Sequence, residues 1–393
     1  MSSSHFLALD APVGAEAVSK FLPTFGAALN GQGPAILPLP AGPTEVREQL
    51  LAFAEPDRAL AYDDIALLVP TSGSAGPAKV TLLSRTAVMA SVQATHEALG
   101  GPGRWLLMMP TTHIAGLQVL ARSIVSGFPP AVVELADGFQ TQRLVEAAGR
   151  LLDAAGTEPR YTALVPTQLY RVLESGRDAV SALMALDAVL LGGAAPPPRL
   201  VERAHAAGIP LVQSYGMTET CGGCFYDGLP LAGGRVTFGD DARIQLSGPM
   251  MFSGYRGDPE LTSRTLNDGT FLTSDFGHLD EQRRLIIDGR LDYAIISGGV
   301  NVSCTAVEQA LIQHPAIRDV AVVGVPDEEW GERVVAVAVV AEALTLETLR
   351  AFGQNQLEAS ALPRQLITVG ELPLLPTGKL DRIAAKRIAT SHS

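Results

Sequence analysis

Between residues 60 and 215 short apolar runs alternate with longer stretches of helical spacing, and this alternation constrains the fold more than any other feature of the chain. Residues 65–69, 105–109, 131–135, 161–165, 188–191 and 210–213 read as strands, and residues 86–99, 116–126, 140–155, 167–175 and 198–207 as amphipathic helices. Strands that alternate with helices build βαβ units, which give a largely parallel sheet covered by helices and ligand sites at the carboxyl ends of its strands. After about residue 230 the pattern turns to shorter β segments such as 243–247 and 285–288, separated by Gly, Pro and Asp turns. A third pattern starts near residue 293: a helix near 305–313, strands near 320–325 and 334–340, a helix at 346–358, a strand at 365–369 and a last helix from Arg382. The expectation is an α/β chain with a large N-terminal domain, 1–291, of mainly parallel sheets and a β subdomain. A small mobile α+β C-terminal domain, 292–393, follows a hinge at 290–293.

Composition excludes several classes. A net charge of −12 argues against nucleic acid or anionic lipid as the main partner, so small-molecule substrates are expected and any phosphate must be held locally. The longest apolar run, 334–341, falls far short of the roughly 20 residues that cross a bilayer, so an integral membrane protein is not expected. The opening MSSSHFLALD lacks the basic start and apolar core of an export signal, which points to a cytoplasmic address; a homo-oligomer is compatible with the sequence. Cys221 and Cys224 stand in CGGC, the spacing of a redox or zinc half-site, but a zinc site takes about four ligands and no second pair lies near. Small residues packed behind a loop are the expectation there. Lysine occurs only at Lys20, Lys79, Lys379 and Lys386, so a lysine inside a motif carries unusual weight.

Two motifs follow strands. Residues 70–79, PTSGSAGPAK, resemble a phosphate loop: Gly73 and Gly76 let backbone N–H groups approach an anion, Thr71, Ser72 and Ser74 add hydroxyls, and Lys79 adds charge. A helix is expected directly after it, and a plain Gly/Ser turn is the competing reading. In Ser214-Tyr215-Gly216-Met217-Thr218-Glu219-Thr220 an aromatic beside a glycine suits a base, a threonine suits a phosphate, and a carboxylate suits magnesium. A helix start capped by Thr218 is the bland alternative. Both motifs are expected at strand ends of one sheet, facing one crevice.

These two motifs, with Thr273-Ser274-Asp275, Gly289-Arg290-Leu291-Asp292, the 296–301 run ISGGVN and the 375–382 run LPTGKLDR, occur in the order found in acyl-CoA synthetases, peptide-synthetase adenylation domains and luciferases. From about residue 60 to its end the chain resembles this acyl-adenylate-forming superfamily. The resemblance implies an ATP-dependent, AMP-forming acid-CoA ligase using ATP, Mg²⁺ and coenzyme A. It implies that Tyr215 stacks on adenine near Gly192-Gly193-Ala194, that Thr218 meets the α-phosphate, that Glu219 binds Mg²⁺, and that Asp275 and Arg290 hold the ribose. Lys379 matches the catalytic lysine, which stabilises charge built up in adenylation, and Asp292 the hinge that then swings Ser297, Gly298 and Gly299 over the site for thiol attack. The chain departs from the pattern at Ala75, Ala78, Val80, Ser274, Tyr293 and Val300, which puts the phosphate loop's geometry in question more than the reaction class.

The acid is read from 110–118, PTTHIAGLQ, where the family carries an aromatic or a histidine that closes the acyl pocket; His113 is the strongest candidate of the seven histidines, a capped core histidine is the competing reading, and the resemblance counts Gly193 among the acid-binding residues. Nine residues on, Arg122 is the single charge on an apolar helix, placed to pair with a second substrate carboxylate. HIAGLQVLAR, LLGGAAPP and ISGGVNV in so short a chain resemble the branch that activates an aromatic dicarboxylic acid in menaquinone biosynthesis. Two alternatives stay open: a ligase for another aryl or medium-chain acid, with Arg122 structural, and a catalytically weak nucleotide-binding paralogue.

Overall fold

The computed structural model describes residues 5–71, 79–154, 156–239, 242–374 and 380–392. Three sheets form before residue 291. A five-stranded sheet runs in the order Phe6–Asp10, Ala35–Leu39, Ile65–Thr71, Lys79–Ser84 and Gly254–Tyr255, its first three strands parallel and its last two antiparallel. The second sheet has seven strands. Ala131–Val132, Arg104–Leu107, Arg160–Leu164, Ala188–Leu191 and Leu211–Met217 pair in parallel, and the hairpin Gly222–Tyr226 and Leu229–Pro230 extends the edge antiparallel.

The strands read as unbroken apolar runs because both faces are buried. Trp105, Leu107 and Met109 point into one core, whereas Leu106 and Met108 point into another. Ala188 and Leu190 likewise alternate with Val189 and Leu191, as the two-residue period of a strand requires. The first core holds the helices Ala15–Leu29, Arg85–Leu99 and Ile114–Ser126 between the two sheets. The second packs Thr141–Ala154, Pro166–Glu174, Arg177–Met184 and Pro198–Ala206 on the far face of the seven-stranded sheet. Each wholly buried Leu or Val here stabilises the fold by about 1.5–3 kcal/mol relative to exposure. Local chemistry fixes the helix ends: Ser84 accepts from the Ala87 N–H at 3.1 Å, and Gly100 and Gly127 close their helices with left-handed backbone.

A third, antiparallel sheet, of Arg235–Phe238, Arg243–Ser247, Thr270–Leu279, Leu266–Asn267 and Leu285–Arg290, matches the expected β subdomain. Beyond it lies a fourth sheet of Ala294–Ser297, Val300–Ser303, Gly331–Val340, Ile317–Asp327 and Gln365–Thr368. Cys304–Leu311 and Leu346–Gly353 pack on one of its faces, Arg382–Ser391 on the other.

Three readings of the sequence change. Residues 72–78 lie outside the described residues, and the chain resumes after them in the strand Lys79–Ser84, not in the expected helix. The strands Ile65–Thr71 and Leu211–Met217 belong to different sheets, so the two motifs do not share one. The helix Arg177–Met184 and the strands Phe6–Asp10 and Ala35–Leu39 had no counterpart in the sequence reading.

Candidate active site

Leu211–Met217 brings Ser214, Tyr215, Gly216 and Met217 to the carboxyl edge of the seven-stranded sheet. The hairpin back into Gly222–Tyr226 is so close that a Cβ on Gly216 would lie 2.0 Å from the Gly222 carbonyl oxygen. Gly192, just past the neighbouring strand, sits against Ser214, whose carbonyl oxygen would be 3.0 Å from a Cβ there. Gly193 follows with φ +81° and is exposed, as is Ala194. Thr218 and Glu219 open the 3₁₀ turn Thr218–Thr220, in which Thr220 Oγ1 accepts from the Met217 N–H at 2.9 Å, so Thr220 and not Thr218 holds the turn.

The structure joins Tyr215, Asp275 and Arg290. Asp275 is buried, and its two carboxylate oxygens accept from the Tyr215 hydroxyl at 2.7 Å and from Arg290 Nη1 at 3.3 Å. Asp275 and Arg290 face each other across Thr270–Leu279 and Leu285–Arg290, so strand register sets their pairing. Thr273 Oγ1 accepts the Asp275 N–H at 3.0 Å and donates to the Ile244 carbonyl at 2.8 Å. Burial, then the Asp275 charge, pushes the Tyr215 phenol well above its usual range, so it stays a neutral donor. The arrangement offers an aromatic plane, a fixed carboxylate and a fixed guanidinium side by side.

Glu219, in the turn between two strands of the seven-stranded sheet, and Lys79, on the five-stranded sheet, meet through Tyr255. The Tyr255 hydroxyl donates to Glu219 Oε1 at 2.8 Å, and Lys79 Nζ lies 5.4 Å from the Tyr255 ring centroid. Thr71, on the opposing strand, reaches the Lys79 carbonyl at 3.5 Å. Burial and the Glu219 charge raise the Tyr255 phenol, which keeps it a donor. With one oxygen so oriented, the other carboxylate oxygen of Glu219 suits Mg²⁺, which is held in nucleotide sites by one or two carboxylates plus the phosphates. No group of three or more His, Cys, Asp or Glu residues that could hold a metal ion occurs among the described residues.

His113 stands exposed at the N-terminus of Ile114–Ser126, in extended backbone. Further along, Gln118 and Arg122 turn inward and are buried. Gln118 Nε2 and Ser91 Oγ both donate to the Cys221 carbonyl, at 2.7 and 3.0 Å. Arg122 lies 4.9 Å from the Trp105 ring centroid and 3.5 Å from the Tyr226 hydroxyl, which also pairs with Thr95 at 3.0 Å. Burial pulls the Arg122 pKa below its usual value. Three buried polar atoms in this region lack a hydrogen-bond partner among the described residues: Trp105 Nε1, Gln118 Oε1 and Arg122 Nε. Leaving such atoms unpaired is costly, so a cluster of them calls for a polar occupant.

Cys221 and Cys224 are buried behind this region, and burial raises both thiols, that of Cys224 to about 12. They pack as small residues, as the sequence suggested.

Asp292 lies in the 3₁₀ turn Leu291–Tyr293. Gly298 and Gly299 form the two-residue turn of the hairpin Ala294–Ser297 and Val300–Ser303, with φ of +61° and +79° that a mirror-type turn demands. Gly298 donates to the Trp330 carbonyl at 2.9 Å and packs on its ring, while Ser297 is wholly buried. Ser72, Gly73, Ser74, Gly76 and Lys379 lie outside the described residues. Tyr255, Gln118, Trp105 and Tyr226 were not singled out from the sequence. Only Tyr255, an aromatic between two glycine-containing turns, carried any local signal.

Residues 14–254 match the model of the AMP-binding enzyme family, and residues 306–379 that of the AMP-binding enzyme C-terminal domain. The chain is 42% identical over 385 residues to a probable 2-succinylbenzoate–CoA ligase of Mycobacterium tuberculosis, covering 97% of each. It is 30% identical over 346 residues to the 2-succinylbenzoate–CoA ligase of Listeria monocytogenes, covering 84% of this chain and 72% of that one. The fold is that of the Bacillus subtilis o-succinylbenzoate-CoA synthetase solved with its acyl-adenylate intermediate, with TM-score 0.74, 23% identity, and 98% and 78% of the two chains covered.

Proposed function

We propose a function from a fixed premise: the chain belongs to the AMP-binding enzyme family. It is an ATP-dependent acid-CoA ligase acting on 2-succinylbenzoate, in menaquinone biosynthesis, at a cytoplasmic address. The near full-length match to a probable 2-succinylbenzoate–CoA ligase carries this reading, and the buried, uncompensated Arg122 supports it. No helix among the described residues is long and apolar enough to cross a membrane.

In the first half-reaction the substrate carboxylate attacks the α-phosphorus of ATP, the bond to the β-phosphate oxygen breaks, and pyrophosphate leaves. Tyr215 stacks on adenine beside Gly192, Gly193 and Ala194, while Asp275 accepts from the ribose hydroxyls and Arg290 holds Asp275 in place. Ser214, Gly216 and Met217 form the strand edge that receives the nucleotide, and Thr218 donates to the α-phosphate. Thr71, Ser72, Gly73, Ser74, Gly76 and Lys79 line the path of the β- and γ-phosphates. Glu219 would hold Mg²⁺, which would supply Lewis-acid stabilisation of charge on the phosphate oxygens. His113 orients the reacting carboxylate next to Gly193, and Arg122 receives the second one. Lys379 stabilises the charge that grows on the bridging and equatorial oxygens, an interaction stronger in the transition state than before it.

In the second half-reaction the CoA thiolate attacks the acyl carbonyl, the carbon–oxygen bond to the phosphate breaks, and AMP leaves. Units 1–291 and 292–393 turn about Asp292 between the two steps, withdrawing Lys379 and presenting Ser297, Gly298 and Gly299. The experiment supplies 2-succinylbenzoate, ATP, Mg²⁺ and CoA to purified protein and follows pyrophosphate and the thioester. Turnover of other aryl acids with none of 2-succinylbenzoate would replace the substrate; no pyrophosphate with any acid would remove the ligase reading.

A further inference from the structure

Glu219 sits in a turn of the seven-stranded sheet, yet a segment of another sheet grips it at both ends. Its main-chain carbonyl accepts the Phe252 N–H at 2.8 Å, and its carboxylate oxygen Oε1 accepts the Tyr255 hydroxyl at 2.8 Å. Residues 252–255 thus hold both the backbone and the side chain of the carboxylate proposed for Mg²⁺. That segment is itself firmly built in. Gly254 and Tyr255 pair antiparallel with Leu82 and Thr81, and the Ser253 and Arg256 N–H groups on either side donate to the Leu82 and Val80 carbonyls at 2.9 and 2.8 Å. Thr262 Oγ1 accepts the Tyr255 N–H at 2.9 Å. The buried Arg256 guanidinium donates to the carbonyls of Ala54, Glu55, Arg58 and Ala59, which ties this short edge strand to a turn distant in sequence.

Tyr255 is 7% exposed, so it offers little surface to a nucleotide, and Lys79 Nζ lies 5.4 Å from its ring centroid. One phenol therefore contacts both the carboxylate and the lysine assigned to the phosphate end of ATP. Its chemistry suits a holder of a metal ligand. A phenol that burial keeps protonated donates one hydrogen bond and brings no charge, so the charge of Glu219 stays available to a cation. An ammonium in the same place would compete with the metal. Hydrogen bonds from such outer partners orient a ligating carboxylate, and losing one typically costs about 10- to 100-fold in metal affinity.

We propose that Tyr255 is the positioning residue of the metal site: its hydroxyl, engaged on one oxygen of Glu219, fixes the orientation of the other and thereby the preference for ATP carrying Mg²⁺ over ATP alone. The inference rests on the reading of Glu219 as the Mg²⁺ carboxylate. Tyr255 itself touches neither metal nor phosphate and works through Glu219.

The test reads binding, not turnover. In the absence of the acid, ATP is titrated calorimetrically onto the purified full-length chain, once with excess Mg²⁺ and once with EDTA. Tyr255→Phe keeps the ring and its packing and removes only the hydroxyl. It is expected to weaken binding of the magnesium form about tenfold while the metal-free form stays within about twofold of the parent. Equal weakening of both forms would show a merely structural role, and no change in either would show that Glu219 needs no holder; each overturns the proposal. Glu219→Gln run beside it separates the two readings. If that variant binds the magnesium form as tightly as the parent does, the metal assignment falls and this inference with it. If it weakens the magnesium form selectively while Tyr255→Phe does not, only this inference falls.

Discussion

Replacing Arg122 with methionine separates substrate recognition from architecture. The Arg122 residue is 3% exposed, and its one described hydrogen bond runs to a neutral phenol at 3.5 Å. Among the described residues no carboxylate pairs with it, and burial lowers its pKa with Tyr226 opposing. The free protein thus bears the desolvation cost of a cation without a counter-charge, and an apolar side chain of similar length is expected to leave the melting temperature equal or higher. The bound state differs. Nine residues at about 1.5 Å each put the Arg122 Cα about 13 Å along the helix from that of His113. An arginine leaning toward the helix N-terminus covers roughly half of that span, which leaves room for an acid with carboxylates at its two ends. Truncating one partner of a buried charge pair costs about 2–5 kcal/mol. At about 1.4 kcal/mol per tenfold, kcat/KM for 2-succinylbenzoate is expected to fall about 30- to 4,000-fold. For 4-oxo-4-phenylbutanoate, which keeps the side-chain carboxylate and lacks that of the ring, the change is expected to stay within about threefold. Continuous pyrophosphate release with both acids and both proteins, alongside thermal unfolding, measures all of this. Equal losses on the two acids, or a melting temperature that drops together with activity, would refute the reasoning.

Three shorter predictions follow from the same geometry. Burial, then the Arg122 charge, holds His96 at about 4 against the ordinary 6.5, so between those values the unfolded chain binds more protons than the folded one. Stability is fully present above pH 6.5 and is lost as pH falls through that window; His96→Gln is expected to flatten the fall in melting temperature, and an unchanged slope would count against the assignment. All three cysteines are buried, so Ellman's reagent is expected to modify none of them under native conditions, and Cys221→Ala with Cys224→Ala to keep pyrophosphate release. Rapid modification or zinc-dependent activity would reopen the CGGC question. Gly216→Ala would set a Cβ 2.0 Å from a carbonyl oxygen, an overpacking worth about 1–3 kcal/mol or more. Weakened ATP binding and a lower melting temperature are expected, and parental values in both would show that the two strands separate freely.

The parallel strands were legible because burial on both faces writes them as unbroken apolar runs, as in 105–109, where successive residues serve two cores. Residues 79–84 were not. VTLL is as apolar as its neighbours, but only pairing with Ile65–Thr71 makes it a strand, and local spacing cannot express an antiparallel return around a glycine-rich loop. Tyr215, Glu219, Asp275 and Arg290 were singled out because their short runs occur in the family's order; Asp275 alone reads as a turn carboxylate, and it is the structure that joins it to Tyr215 and Arg290. Gln118 and Trp105 lie in apolar patterns where a buried polar atom leaves no mark.

Tyr255 shows why the remainder of the site was illegible. Tyr215 comes from the seven-stranded sheet, Asp275 from the antiparallel sheet, and Tyr255, which orients Glu219, from the edge of the five-stranded sheet. The residues of the proposed nucleotide site thus come from three sheets, and its geometry depends on how the three pack. Phe252 lies at that junction, its ring 5.0 Å from Tyr255 and 5.2 Å from Phe271, the residue four before Asp275. Its two T-shaped contacts join the ring that binds Glu219 to the strand that carries Asp275. The groups proposed for the metal and the ribose are therefore linked through an apolar residue that no motif contains.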